Sequence, residues 1–311
     1  MPEIRHDAIS GRSVIVATER ASRPHTAASA VAIAEPMDCP FCANNEGMTP
    51  PEVARTGQGS PDAPGWRVRT VPNLYPIVEP SSTAASGATG AHEVVVLSTD
   101  HLADFGRLDD AKAIDAFLMM RDRVKYHLSA GRAFAFAFIN HGRIAGASIA
   151  HPHAQVVALD VVPEAVIDMA ARFDTIDLIA QELVVARDNG LVVIDGDAPA
   201  WSPPASPNSF GLRVAHLTAR SQFSDATDEE IGAVALSIRD SLARLSDLLG
   251  GPAYNVVLHT AWPTSVPNYM HWHAELIPRL GHHAGFEFGT GMFVNVVTPE
   301  DAATILRSGR T

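Results

Sequence analysis

Long apolar runs are missing from this sequence. Nothing in it approaches the ~18 consecutive apolar residues of a membrane span, and the opening MPEIRHDAISGR lacks the apolar stretch of a secretory signal. No membrane partner is expected, and the expected compartment is the cytoplasm. Positive charge is scarce as well: 23 Lys+Arg stand against 35 Asp+Glu, for a formal net charge of −12. That balance argues against a nucleic-acid partner but leaves room for a local arginine cluster to hold one small phosphorylated ligand. Cysteine is scarcer still. The two present, Cys39 and Cys42 in DCPFCANNE, exclude a disulfide framework. What the chain does have is 46% hydrophobic residues over a length of 311. That is enough to bury a full core, as one large domain or two fused smaller ones.

A CxxC pair is read either as a metal knuckle or as a redox couple. The redox reading wants the motif to open a helix after a strand, whereas CPFCANNEGMTPPE is loop-like and proline-rich, which favours metal. Two thiolates leave a tetrahedral zinc site half complete. Two further ligands must come from elsewhere, and histidine is the expected type.

Hydrophobic periodicity divides the rest of the chain. Strands are predicted at SVIVAT (13–18), HEVVVL (92–97), RAFAFAFIN and AHPHAQVVAL. Helices are predicted over 109–129, 164–189 and in EEIGAVALSIRDSLARLSDLLGG, the last with a capping-box signature at Thr227 and Glu230. Proline and glycine dominate positions 36–80. After the third helix, AYNVVLHTAWPTSVPNYMHWHAELIPRL repeats the order of RAFAFAFINHGRIAGASIAHPHAQVVAL: strand, histidine-bearing loop, then a strand opening HxHA. The repeats start at His151 and His271, 120 residues apart, and one duplicated module is the economical explanation. The expected fold is α+β, two tandem halves (1–195 and 196–311) of mainly antiparallel sheet with packed helices.

Side chains alternate across a strand, so His151, His153 and Gln155 share one face and Pro152, Ala154 and Val156 the other. The plain reading is a half-exposed strand with histidines facing water. The functional reading is a reaction centre: an imidazole whose second nitrogen donates to a backbone carbonyl is fixed in one tautomer and presents a lone pair to phosphorus at neutral pH. Phosphoryl chemistry also needs donors around the oxygens that gain charge, and Gln155, Ser148, Asn140 and the glycine loop around Gly146 suit that task, as would Arg20 and Arg23.

RHDAISGRSVIVATERASRP, CPFCANNEGMTPPE, VPNLYP, HEVVVLSTDH, NHGRIAGASIAHPHAQVVAL, HWHAELIPR and GFEFGTGMFVN together resemble the galactose-1-phosphate uridylyltransferase family of the histidine-triad superfamily. ADP-glucose phosphorylases are similar in the glycine loop and in GFEFGTG. The resemblance implies two histidine-triad-like halves and transfer of UMP between a UDP-hexose and a hexose-1-phosphate through a covalent nucleotidyl-histidine. The alternative is an adenylyl sugar nucleotide with phosphate as acceptor; further off is a non-enzymatic, zinc-stabilised nucleotide-binding protein. The resemblance makes His153 the nucleophile and Gln155 its phosphate-holding partner. It makes Cys39, Cys42, His101 and His151 the ligands of a structural zinc. Arg20 and Arg23 match phosphate-binding arginines. Asn73, Asn140, Gly146 and Ser148 match residues that contact the nucleotide sugar, and Phe286 with Glu287 match a segment that meets the hexose, often across a homodimer. The sequence departs from the family at Ala154, where glycine is usual, and at WSPPAS, where some relatives carry a second cysteine pair. A second metal at His259, His271 and His273 stays open, because the position of its glutamate falls at Met169, beside Asp168.

Overall fold

The computed structural model describes residues 2–22, 38–81, 88–263 and 269–309. Strands β1 (Glu3–His6) and β2 (Ser13–Val16) form a hairpin, followed by β3 (Ala54–Gly57), β4 (Trp66–Pro72) and β5 (Gly90–Val96). Helix α1 (Asp110–Ser129) begins where Asp109 accepts a hydrogen bond from the Lys112 backbone N–H at 2.9 Å, satisfying an orphan donor of its first turn. It leads into β6 (Phe134–His141) and β7 (His153–Leu159). The stretch predicted as one helix over 164–189 is two, α2 (Glu164–Arg172) and α3 (Leu178–Asp188). The break follows from local chemistry: Phe173 is fully buried, and Asp177 caps α3 by accepting from the Ala180 N–H at 3.0 Å, a bond that competes with helix continuation.

Next come β8 (Val192–Ile194), β9 (Ala200–Trp201) and β10 (Leu212–Val214), then α4 (Asp228–Leu249). In α4 the Thr227 hydroxyl and the Glu230 carboxylate satisfy each other's backbone N–H, as the sequence signature predicts, and Gly250 closes the helix at a left-handed φ of 75°. The chain ends with β11 (Tyr254–His259), β12 (His273–Pro278), α5 (Gly285–Thr290), β13 (Phe293–Asn295) and α6 (Pro299–Ser308).

One ten-stranded sheet runs in the order β3-β4-β5-β7-β6-β11-β12-β10-β9-β8. Exchanging β6 with β11, β7 with β12 and β5 with β10 reads the same order from the other end, so the duplication seen in the sequence is a pseudo-twofold in the sheet. Its axis lies between β6 and β11, which pair antiparallel with Asn140 opposite Asn255. A three-stranded sheet, β1-β2-β13, brings the two ends of the chain together. The fold is thus α+β, with two histidine-triad-like halves sharing one mainly antiparallel sheet.

Helices α1 and α4 cover one face. Ala154, Val156 and Ala158 of β7 and Ala274 and Leu276 of β12 join Phe117, Met120, Ile231 and Ile238 in a single apolar core there. The opposite face is treated differently at its two ends. In the C-terminal half Ile9, Phe173, Ile179, Leu183, Trp201 and Met270 form a second buried cluster over it. In the N-terminal half a smaller cluster, Cys39, Phe41, Cys42, Trp66, Val71, Val94 and Val96, packs there.

Candidate active site and metal cluster

Four ligand-bearing side chains meet beside β7. The donor atoms of Cys39, Cys42, His101 and His151 all lie within 4.8 Å of one another, and all four residues are buried. Cys39 and Cys42 come from a tight turn in which the Cys42 N–H donates to the Cys39 carbonyl. His151 precedes β7 rather than lying in it. Pro152 has no N–H to give the ladder, and the strand begins one residue later. The His151 Nε2–H donates to the Ser98 carbonyl at 2.7 Å, which fixes the tautomer and leaves the Nδ1 lone pair toward the thiols, 3.8 Å from Cys39 Sγ and 3.6 Å from Cys42 Sγ. His101 Nδ1 is 3.3 Å from Cys42 Sγ. A tetrahedron with bonds of ~2.3 Å to sulfur and ~2.0 Å to nitrogen separates S and N by about 3.5 Å, so the spacing fits a Cys2His2 metal site. Without a cation, burial and the neighbouring Cys39 push the Cys42 thiol up to about 11. Burial likewise holds His151 down at about 4, so its imidazole is neutral and can act as a ligand.

His153 is the first residue of β7. Its Nδ1–H donates to the His151 carbonyl at 2.8 Å, and Nε2 has no hydrogen-bond partner among the described residues. Burial keeps this imidazole below its ordinary value, hence uncharged. Phe41 lies against both rings, at 6.2 Å from His151 and 5.3 Å from His153 between centroids, which keeps them on one face as strand alternation predicts. Gln155 continues that face, its Oε1 2.8 Å from His92 Nε2.

Gly142, Ile149 and Ala150 of the loop between β6 and β7 line the same small cavity as His151 and His153. Gly146 sits at φ 95°, where a side chain is strained, and a Cβ there would come within 3.4 Å of Asn140 Nδ2. Asn140 Oδ1 accepts from Asn255 Nδ2 at 2.7 Å, and the same amide donates to the Ala145 carbonyl at 2.8 Å. Asn255, on β11, the counterpart of β6 in the other half, therefore clamps the glycine loop. Sequence reading alone passes over it, although it stands opposite Asn140 across the pseudo-twofold. Ser148 is exposed on the same loop. Asn73 follows β4, its Oδ1 accepting from the Tyr75 N–H at 2.9 Å and its Nδ2 3.1 Å from the His92 ring.

Among the described residues, none of the other expected phosphate- and hexose-binding residues hydrogen-bonds to His153 or Gln155. Arg20 is exposed after β2, and Arg23 lies outside the described residues. Phe286 and Glu287 belong to α5, which packs on β13 of the small sheet, and Glu287 caps its own helix by accepting from the Ala284 N–H at 2.8 Å. His259 stacks on His273 with ring centroids 4.8 Å apart, but among the described residues the three histidines of the second half form no cluster of ligand atoms like that of the first. His271 has both nitrogens engaged, Nδ1 with Asp177 at 3.0 Å and Nε2 with the His216 carbonyl at 2.9 Å. His259 Nε2 meets Glu275 at 3.1 Å, and His273 Nε2 is buried without a hydrogen-bond partner among the described residues. Met169, standing where a ligand glutamate would be, packs against the apolar cluster.

No family model matches the chain. Its sequence is 30% identical to the ADP-glucose phosphorylase of Arabidopsis thaliana, over 98% of this chain and 92% of that protein. The chain belongs to the galactose-1-phosphate uridylyltransferase family. The crystal structure of an ADP-glucose phosphorylase from the same plant with bound ADP-glucose superposes with a TM-score of 0.87 and 27% identity, each chain covered in full (100%). A solved uridylyltransferase gives a TM-score of 0.74 and 25% identity over 99% of this chain and 98% of that one. The family's chemistry is nucleotidyl transfer, and the chain is an enzyme of that class. Among the described residues no helix is long and apolar enough to cross a membrane.

Proposed function

We propose that the enzyme transfers the nucleoside monophosphate of a sugar nucleotide through a covalent intermediate on His153, with ADP-glucose as donor and inorganic phosphate as acceptor. The observation that carries the reading is the 2.8 Å bond from His153 Nδ1–H to the His151 carbonyl, which leaves the Nε2 lone pair free on a residue two places before Gln155 on the same strand. Nε2 attacks the α-phosphorus; an N–P bond forms, the bond from that phosphorus to the bridging oxygen breaks, and its electron pair leaves on hexose-1-phosphate. A phosphate oxygen then displaces the histidine, releasing the nucleoside diphosphate. Gln155 and the loop held by Asn140 and Gly146 stabilise the oxygens that gain charge, and Ser148 reaches the nucleotide sugar beside Asn73. Arg20 and Arg23 are assigned to the phosphates by their match to the family's arginines, and Phe286 with Glu287 to the hexose across a homodimer.

Zinc suits the Cys39, Cys42, His101 and His151 set by charge and spacing. Bound there, it neutralises the thiolates and locks the segment that carries the His151 carbonyl.

The adenylyl reading rests on the 30% relative; the uridylyl reading, with UDP-hexose and galactose-1-phosphate, rests on motifs both groups share. Incubation with ADP-glucose or UDP-glucose followed by intact-mass analysis decides between them. The expected result is an AMP adduct, lost in His153→Asn. A UMP adduct alone restores the uridylyl reading, and no adduct from either removes the mechanism.

A further inference from the structure

The hydrogen bonds around Gln155 run in one direction, and an N–H from outside the strand sets it. The Ile77 backbone N–H donates to His92 Nδ1 at 3.2 Å. A backbone N–H can only donate, so Nδ1 carries the lone pair, and the proton of the neutral ring must sit on Nε2. Nε2 lies 2.8 Å from Gln155 Oε1, and it can only donate there. The carboxamide is thereby pinned by its oxygen, and its NH2 group, without a protein partner among the described residues, is turned away from His92. The Asn73 amide, held by the Tyr75 N–H, has its Nδ2 3.4 Å from Nδ1 and 3.1 Å from Nε2; near both nitrogens at once, it lies over the ring face rather than in line with either in-plane lone pair, and so does not compete for the tautomer. His92 is buried, which keeps it below its ordinary value and in the neutral form this chain of bonds requires. It stands on β5, the strand that pairs with β7, and so belongs to the framework rather than to a loop.

The geometry points to His92 as the positioning residue that makes Gln155 offer N–H rather than C=O to the transferring phosphoryl group. This rests on the proposed nucleotidyl transfer at His153. A freely rotating carboxamide presents its oxygen to the anion as readily as its nitrogen, and the oxygen repels. Holding the donor in place before charge develops lowers the barrier of the chemical step more than it alters ground-state binding.

A double-mutant cycle tests this on the full-length protein. His92→Phe, which keeps a ring but no donor, is expected to slow nucleotidyl-His153 formation from ADP-glucose about tenfold or more, with KM within about twofold. In a Gln155→Ala background the same change should cost less than about twofold, because the residue through which it acts is gone. Equal losses in both backgrounds, or none in the first, overturn the proposal. Nitrogen-15 NMR of the wild-type protein gives a second reading independent of turnover and of variant folding: His92 must be protonated at Nε2 and bare at Nδ1, and the opposite tautomer rejects the assignment. Should neither ADP-glucose nor UDP-glucose label the wild-type protein, the functional reading falls. The tautomer alone then decides whether His92 holds Gln155.

Discussion

The two halves carry the same backbone device and use it in opposite ways. His153 donates from Nδ1 to the carbonyl of His151 at 2.8 Å, and His273 donates from Nδ1 to the carbonyl of His271 at 2.9 Å. In the N-terminal half the face beyond the histidine ends in a glutamine next to Val94, and His153 keeps 6% of its surface exposed. In the C-terminal half the corresponding residue is Glu275, its neighbour on β10 is Arg213, and His273 is wholly buried. Arg213 gathers Glu275 at 2.7 Å, Glu182 of α3 at 2.5 Å and Asp7 of the β1–β2 turn at 3.3 Å. That ion cluster and the apolar cluster beside it close the second face, and among the described residues they leave His273 no exposed surface. On the proposed mechanism a duplicated histidine motif serves as a reaction centre in one copy and a structural joint in the other, according to what stands next to the residue two places on.

The sharpest way to break this contrast is to replace each histidine in turn. His153→Asn should abolish the nucleotidyl adduct and reduce turnover by on the order of 10³-fold or more, while leaving thermal stability nearly unchanged. His273→Asn should do the reverse, lowering the melting temperature while the adduct still forms on mixing with ADP-glucose. If both variants lose the adduct and remain folded, the halves share the chemistry and the contrast is wrong.

Next in size is the guanidinium. Arg213→Met leaves three carboxylates facing a buried site without their cation, and should cost about 3–5 kcal/mol in denaturant unfolding. A loss under about 1 kcal/mol would mean that apolar packing alone seals this half.

How far the sequence announces this contrast depends on the range of the contacts. Alternation along HPHAQVVAL and the incomplete ligand set of CxxC are local signals, and both survive in the fold: Ala154 and Val156 face the helices, and His101 and His151 join the cysteines. The Thr227–Glu230 capping box is equally local. The helix break at Phe173–Asp177 was hidden because apolar residues continue at helical spacing on both sides of it. The Arg213 cluster left no pattern at all, since Asp7 and Arg213 are 206 positions apart and meet only once the small sheet docks. His92 was visible as the first residue of a predicted strand, but its bond to Gln155, 63 positions away, depends on the pairing of β5 with β7.

Metal removal probes the open half. Cys39→Ser deletes a ligand and should weaken metal binding by more than the ~10–100-fold that changes around a ligand cause. Metal content and thermal stability should fall together, with hydrogen exchange rising around 39–45 and 98–101 and staying unchanged in β10 and β12. Activity should be reduced but detectable, because Nε2 of His153 is not a ligand. Unchanged metal content would reject the four-residue assignment.

The finest distinction lies inside the closed half, where three carboxylates surround one arginine and cannot all be stabilised alike. Burial tends to raise the Glu275 carboxyl, but His259 and Arg213 outweigh it and hold the group well below its ordinary value. Burial dominates at Glu182, and with Asp7 nearby it stays raised although Arg213 touches it. The signs of linkage are therefore opposite. Glu275 contributes stability above the ordinary glutamate value near 4.5, and that contribution is lost as pH falls through its lower folded value. Glu182 contributes below 4.5, and its contribution is lost as pH rises through its raised folded value. Glu275→Gln should accordingly cost about 2–3 kcal/mol at neutral pH and little in acid. Glu182→Gln keeps the oxygen that accepts from Trp201 Nε1 at 2.8 Å, so it should change neutral-pH stability by less than about 1 kcal/mol. Relative to the wild type it should gain as pH rises above 4.5. Unfolding free energies of both variants between acid and neutral pH test the pair; parallel curves would show that the cluster shares its charge evenly and that neither carboxylate is the one Arg213 is there to hold.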